Sequence, residues 1–266
     1  MARILGIDFG SSNTDLVILD KNKIIYENQT ASKPIEYILP ELEQMSFKNI
    51  DRINITGHRA AAFPRIFNGF KVNKIDEIEA IAFGTKFFFK KNNFLAASLG
   101  SGTCFVSYKN GTILHVGGTP IGGMTLLGLS KLLLNIEDFK ELEKLADRGK
   151  LENVDLELKD IYPDGVGVLK KHATASNFGK IKNAKKEDIA LGLFNLVAQG
   201  IGTNAYFAAK SCNQKEVILS GKLSESKLIK KLIEEKIYSS VSEIKFNFTR
   251  KASFVTACGA AISKTI

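Results

Sequence analysis

The chain is short of the residues that would commit it to several large classes of protein. Its only cysteines, Cys104, Cys212 and Cys258, lie too far apart for a redox pair or a zinc knuckle. They read as buried thiols of a protein kept in a reducing cytosol. The histidines His58, His115 and His172 are isolated and lack zinc-ligand spacing. No apolar run approaches a membrane span, and no signal peptide precedes Asp8. The expectation is therefore a cytoplasmic protein with no membrane partner. A G-x-x-x-x-G-K-[ST] loop is missing, and the first glycine-rich turn leads into a strand where a Rossmann fingerprint needs a helix. An acidic balance is missing too, since the formal net charge is +9. Such an excess suits nucleic acid or anionic metabolites. Here the lysines sit beside Glu and Asp in 137–150 and 222–236, as on solvated helix faces, which argues against nucleic acid and leaves small acidic ligands. With 266 residues, 44% hydrophobic and 24% charged, the chain can build two lobes with separate cores.

What is present begins at residues 4–19, ILGIDFGSSNTDLVIL, which read as strand, glycine-rich turn and strand. Small and hydroxyl residues at Gly10, Ser11, Ser12 and Asn13, flanked by Phe9 and Asp15, let backbone N–H groups approach an anion closely. Asp8 ends the first apolar run, where a carboxylate can hold Mg²⁺, often through water. The same residues also suit an ordinary glycine-containing hairpin. A second hairpin of this kind spans 95–108, with Gly100-Ser101-Gly102-Thr103 at its turn. Together the two loops can clamp phosphates, one jaw from each lobe, and close on them.

Periodicity places further strands at 23–28, 53–56, 112–116, 216–219 and 243–248. Helices are expected at 35–48, interrupted near Pro40, and at 75–90, 124–134, 137–148, 186–211, 224–236 and 252–264. The domain break is expected near 90–94, giving lobes 1–92 and 93–266 with the last helix packing back on the first. Gly117 to Thr125 leads directly into a helix, which makes either an anion site at a helix N-terminus or a flexible strand-to-helix loop. Asp76, Glu77 and Glu79 stand at the start of the 75–90 helix, where acidic residues commonly satisfy the helix dipole.

Several motifs fall in one order: GIDFGSSNTD (6–15), DEIEA (76–80), LGSGT (99–103), HVGGTPIGGMTLLGL (115–129), DLELKDIY (155–162) and TASNFG (174–179). In these the chain resembles the type II pantothenate kinases of the actin, hexokinase and Hsp70 superfamily. The resemblance implies an α/β, two-lobe, actin-like (ribonuclease H-like) duplicated fold with nucleotide in the cleft between lobes. It implies ATP- and Mg²⁺-dependent phosphorylation of pantothenate to 4'-phosphopantothenate, the first step towards coenzyme A. A homodimer and a CoA or acyl-CoA feedback ligand are implied as well. The family's catalytic carboxylate falls on Glu77, overriding the dipole reading. Substrate contacts fall on His115, Gly117, Thr119 and Asn177. ATP contacts fall on Asp8 to Asn13, Asp15, Ser101, Gly102, Thr103, Gly122, Gly123, Met124, Thr125, Phe139, Gly221 and Lys222, with the metal on Asp8.

Two departures stand out. Asp15 occupies the place of a family lysine that neutralises ATP phosphates, and His115 that of an arginine. Losing both cations removes groups that usually stabilise the transition state. Two alternatives therefore stand beside the first reading: a related kinase acting on pantetheine or a sugar, and a nucleotide- or CoA-binding protein without turnover. An activator of radical dehydratases shares the GIDxGS start, but needs cysteines for an iron–sulfur cluster, and three scattered ones argue against it.

Overall fold

The computed structural model describes residues 3–44, 50–162, 167, 171–181, 183–237, 243–249 and 251–263. The first glycine turn joins β1 (Ile4–Phe9) and β2 (Asn13–Asp20) as an antiparallel pair, extended by β3 (Lys23–Ala31). Side chains alternate faces along a strand. Leu5, Ile7, Phe9 and Leu16 pack with Ile35, Ile38 and Leu42 of helix α1 (Ile35–Gln44). The opposite face, with Val17 and Leu19, receives the last helix. After α1, β4 (Arg52–Thr56) pairs parallel with β1, and the short hairpin of β5 (Ile66–Phe67) and β6 (Phe70–Lys74) follows.

Helix α2 (Glu77–Phe89) then crosses to a second sheet. There β7 (Asn93–Leu99), β8 (Thr103–Lys109) and β9 (Thr112–Thr119) form an antiparallel meander. Helices α3 (Gly123–Leu134) and α4 (Phe139–Ala146) lead to a short pair, β10 (Leu156–Glu157) and β11 (Thr174–Ser176). The 26-residue α5 (Lys186–Ser211) follows, buried under β7 through Leu193, Phe194, Val197 and Ile201. Then come β12 (Glu216–Ser220), α6 (Lys227–Lys236), β13 (Lys245–Phe248) and α7 (Val255–Ile262).

The duplication expected from the two hairpins is explicit in the strand order. The first sheet runs β3-β2-β1-β4-β6-β5 and the second β9-β8-β7-β12-β13. Each is an antiparallel meander continued by two parallel strands. The helices are exchanged between the halves. α2 follows the first sheet but packs Ile81 and Ala82 on Phe94, Ala96 and Val106 of the second. α7 follows the second sheet but packs Ala257 and Ala261 on the first. This exchange holds two sheets about one cleft.

The sequence expectations meet the structure with shifts of a few residues at most ends, but the interruption expected near Pro40 is absent: α1 runs unbroken through it. The 224–236 segment divides into a 3₁₀ turn at Lys222–Glu225 and helix α6, and the terminal helix begins as a 3₁₀ turn at Ala252–Phe254. Strands β5, β6, β10 and β11 have no counterpart in the periodicity reading. Positions 45–48 and 264 of the expected helices lie outside the described residues. Among the described residues no helix is long and apolar enough to cross a membrane.

Candidate active site

The tips of both glycine hairpins open into one cleft of about 960 Å³. The first contributes Asp8, Gly10, Ser11, Ser12, Asn13 and Asp15, and the second Gly100 to Cys104. They meet directly: the Ser12 and Ser101 hydroxyls lie 3.1 Å apart, in hydrogen-bond range. Glycine is required where the second loop meets the start of α3. A Cβ at Gly122 would lie 2.4 Å from the Ser101 carbonyl oxygen, and one at Gly102 3.0 Å from that of Thr119.

Glu77 enters the cleft from the first residue of α2. Its neighbour explains why it is available. The Asp76 carboxylate caps the helix, accepting from the N–H groups of Ile78 at 2.9 Å and Glu79 at 3.2 Å. The dipole role therefore falls to Asp76. Burial holds the Glu77 carboxyl above its ordinary range, the nearby Asp76 raises it further, and His58 opposes the shift.

Asp8 and Asp15 face each other across the first hairpin. Burial, reinforced by Glu77 and Asp15, pushes the Asp8 carboxyl up to about 8. Burial pushes Asp15 up to about 6 against the pull of a Gln29 hydrogen bond and Lys222, and Glu225 raises it. Gln29 Nε2 donates to Asp15 Oδ1 at 2.6 Å. Asp8 Oδ1 is buried with no hydrogen-bond partner. An orphaned carboxylate oxygen beside two phosphate-type loops fits a hard cation such as Mg²⁺. The Cys104 thiol, also on the cleft wall, is pushed up to about 11 by burial, then by Glu77 and Asp76, so it is no nucleophile.

The far wall comes from the second lobe: Phe139, stacked edge-on against Phe194 at 5.7 Å, with Gly123, Met124 and the Gly221-Lys222 turn. Gly221 adopts φ +84, a left-handed conformation that favours glycine, and a Cβ there would strike the Leu99 carbonyl at 2.5 Å. Lys222 Nζ is held by Glu225 Oε2 at 2.9 Å.

Not every expected residue reaches the cleft. Phe9 is fully buried against Phe63 in the first core, because its face of β1 points to α1. His115 is exposed on β9, opposite Val106, and does not line the cleft. Gly117 follows the β9 bulge, while Thr119 does line the cleft. Gly122 packs under the second loop and Thr125 closes the turn, donating to the Pro120 carbonyl at 2.7 Å. The α3 N-terminus is not a free anion site: Gly123 N donates to Gly100 O at 2.8 Å and Met124 N to Ser101 O at 3.2 Å. Asn177 donates to the buried Asp155, as does Asn195, and stands apart from the cleft.

Sequence reasoning missed Asp138, Lys140, Glu143, Glu225, Ser253 and Thr256 on the cleft wall. Asp138 had a legible signal, as the cap one residue before α4. The others come from elements whose approach to the cleft is set by tertiary packing.

Two sheets, each an antiparallel meander continued by parallel strands and each carrying one glycine hairpin, closing on a carboxylate-rich cleft, define the actin-like class of two-lobe phosphotransferases and ATPases. The Fumble family profile matches residues 93–263. A type II pantothenate kinase from Bacillus thuringiensis subsp. konkukian is 30% identical over 232 residues, covering 83% of this chain and 83% of the relative. One from Staphylococcus epidermidis is 26% identical over 277 residues, covering 96% and 98%. The chain belongs to the Fumble family of pantothenate kinases. The Clostridium difficile activator of 2-hydroxyisocaproyl-CoA dehydratase, solved with bound ADPNP, superimposes with a TM-score of 0.67 over 97% of this chain and 92% of that one. At 17% identity that likeness is one of fold alone.

Proposed function

We propose that this chain transfers the γ-phosphoryl group of ATP to the primary hydroxyl of pantothenate, giving 4'-phosphopantothenate, with Glu77 as general base. The reading is carried by Glu77: a solvent-accessible carboxylate left uncommitted by the Asp76 cap, at the mouth of two phosphate-type loops, in a chain of this family. Burial gives it the raised proton affinity a base needs to take the hydroxyl proton as the oxygen attacks. The backbone and hydroxyls of Gly10 to Asn13 and Ser101 to Thr103 orient the phosphates, and Phe139 and Gly221 offer the adenosine wall. Mg²⁺, held through Asp8, supplies charge neutralisation on the phosphate oxygens when bound. A homodimer, cytoplasmic location and feedback by CoA or an acyl-CoA complete the proposal, as does a division into lobes 1–92 and 93–266.

A second reading has one observation in its favour. The side chains of Asp8, Asp15, Glu77, Asp138, Glu143 and Glu225 outnumber Lys140 and Lys222 on the cleft wall, and Lys222 is already paired. A site so acidic suits a related kinase, for pantetheine or a sugar, or a protein that binds nucleotide or a CoA-type ligand without turnover. ADP release with Mg²⁺-ATP, compared across pantothenate, pantetheine and several sugars, separates these. Pantothenate-dependent ADP release with the phosphorylated product found by mass supports the first reading. Turnover with another acceptor, or with none, overturns it.

A further inference from the structure

The first hairpin brings two carboxylates together and leaves them short of partners. Asp8 and Asp15 are directly opposed in the antiparallel β1–β2 register, so their side chains share a face of the sheet. It is the face that carries Val17 and Leu19 against α7, and it opens at the strand ends into the cleft. Opposed like charges destabilise a strand pair unless something lies between them. One oxygen of Asp15 is fixed by Gln29 at 2.6 Å, the kind of support that orients metal-ligating carboxylates. Asp8 Oδ1 is buried and unpartnered. An independent observation comes from the next strand. Thr56 stands directly beside Asp8 in the parallel β1–β4 register and therefore on the same face. Its exposure is 0%, and its hydroxyl has no hydrogen-bond partner. A fully buried, unsatisfied hydroxyl is costly and calls for a ligand.

We propose that Asp8 and Asp15, with Thr56 beside them, hold a divalent cation of the hard, oxygen-seeking class before any nucleotide arrives. Among the described residues no group of three or more Asp, Glu, His or Cys side chains is set to enclose a metal. The site is thus an open one, two carboxylates with the remaining positions left to water and, in the kinase reading on which this builds, to phosphate oxygens. That is the habit of Mg²⁺, which keeps several waters. The cation puts positive charge at the base of the first loop, where the chain itself carries Asp15.

The test is Mn²⁺ titration of the protein in the absence of ATP and pantothenate, following free Mn²⁺ by electron paramagnetic resonance. Wild type should take up one Mn²⁺ and release it to excess Mg²⁺. Asp15→Asn should weaken uptake by about tenfold or more, and Gln29→Met, which keeps both carboxylates but frees Asp15, by a smaller factor. Asp147→Asn, an exposed carboxylate on the surface, should leave it unchanged. No stoichiometric uptake by wild type means that the pair shares a proton or leans on Lys222 instead, and overturns the proposal. So does Asp15→Asn binding with wild-type affinity while circular dichroism reports an intact fold. Because neither substrate is present, the outcome stands whatever the acceptor. Intact Mn²⁺ binding without pantothenate turnover would overturn only the kinase reading.

Discussion

At the scale of the residue, the start of α2 divides labour between adjacent carboxylates. Asp76 satisfies two helix N–H groups and Glu77 is left facing the cleft. Glu77→Gln keeps the shape and removes the carboxylate proposed as the base. It should lower kcat by about 10²–10⁴-fold while leaving ATP affinity within a few-fold, measured by steady-state kinetics and calorimetry. In the proposed role Glu77 acts only as carboxylate, and its proton affinity lies above that of an ordinary glutamate. Wild-type kcat/KM should therefore fall as pH drops through a value above the usual glutamate range, and Glu77→Gln should lose that limb. A wild-type profile flat across weakly acidic pH would remove Glu77 from the role. Asp76→Ala acts differently. Losing the cap should cost about 1 kcal/mol, read as a drop of about 2–4 °C in Tm, with kcat reduced because Glu77 loses its anchored turn. An unchanged Tm would show that the cap contributes nothing.

At the scale of the element, α2 and α7 cross with their backbones nearly touching. A Cβ at Gly84 would lie 1.9 Å from the Val255 carbonyl oxygen, and one at Gly259 1.7 Å from that of Ala80. The other side of α7 meets Gly6, where a Cβ would lie 2.2 Å from the Ala257 carbonyl oxygen. No side chain can yield to make room, because the obstacle is backbone. Gly259→Ala should therefore push α7 off both neighbours and cost about 1–3 kcal/mol or more, visible in urea unfolding as a lower midpoint. A midpoint equal to that of wild type would sink the close-packing argument. This crossing was not legible in the chain, since small residues at 255–262 read only as an apolar helix. The two hairpins were legible, because alternation around a glycine turn is local. So was α5, whose long run of small and apolar residues meets no proline and tolerates the glycines at 192, 200 and 202. β5 and β6 were not, because Ile66 is exposed at 70% and three of the five residues of Phe70–Lys74 are lysine or asparagine, so pairing rather than pattern makes them strands. Likewise the motifs pointed to Asp8, Glu77 and both loops. The diversion of Asn177 to Asp155, and of the α3 amides to the second loop, depends on partners far away in the chain.

At the scale of the whole molecule, the Ser12–Ser101 pair joins the tips of the two loops at the cleft mouth. The exchanged helices α2 and α7 connect the halves as well, at the base. A ligand gripped by both loops therefore adds contacts between the halves that the free chain lacks, and it binds only the folded state. Stabilisation follows from mass action, about 2.7 kcal/mol at a hundredfold excess over Kd. For a chain of this size that is a rise in Tm of about 5–10 °C. A non-hydrolysable ATP analogue with Mg²⁺ should produce it in a thermal-shift experiment, and AMP, which lacks the phosphates the loops would hold, should not. The Ser12→Ala, Ser101→Ala double variant loses one neutral hydrogen bond, so its unliganded Tm should stay within a few degrees of wild type. Its ligand-induced rise should shrink if, as proposed, the same hydroxyls turn to the phosphates when the cleft is filled. Equal shifts with AMP and with the triphosphate analogue would mean that the loops do not grip phosphate, and that the likeness of the two hairpins is a matter of folding alone.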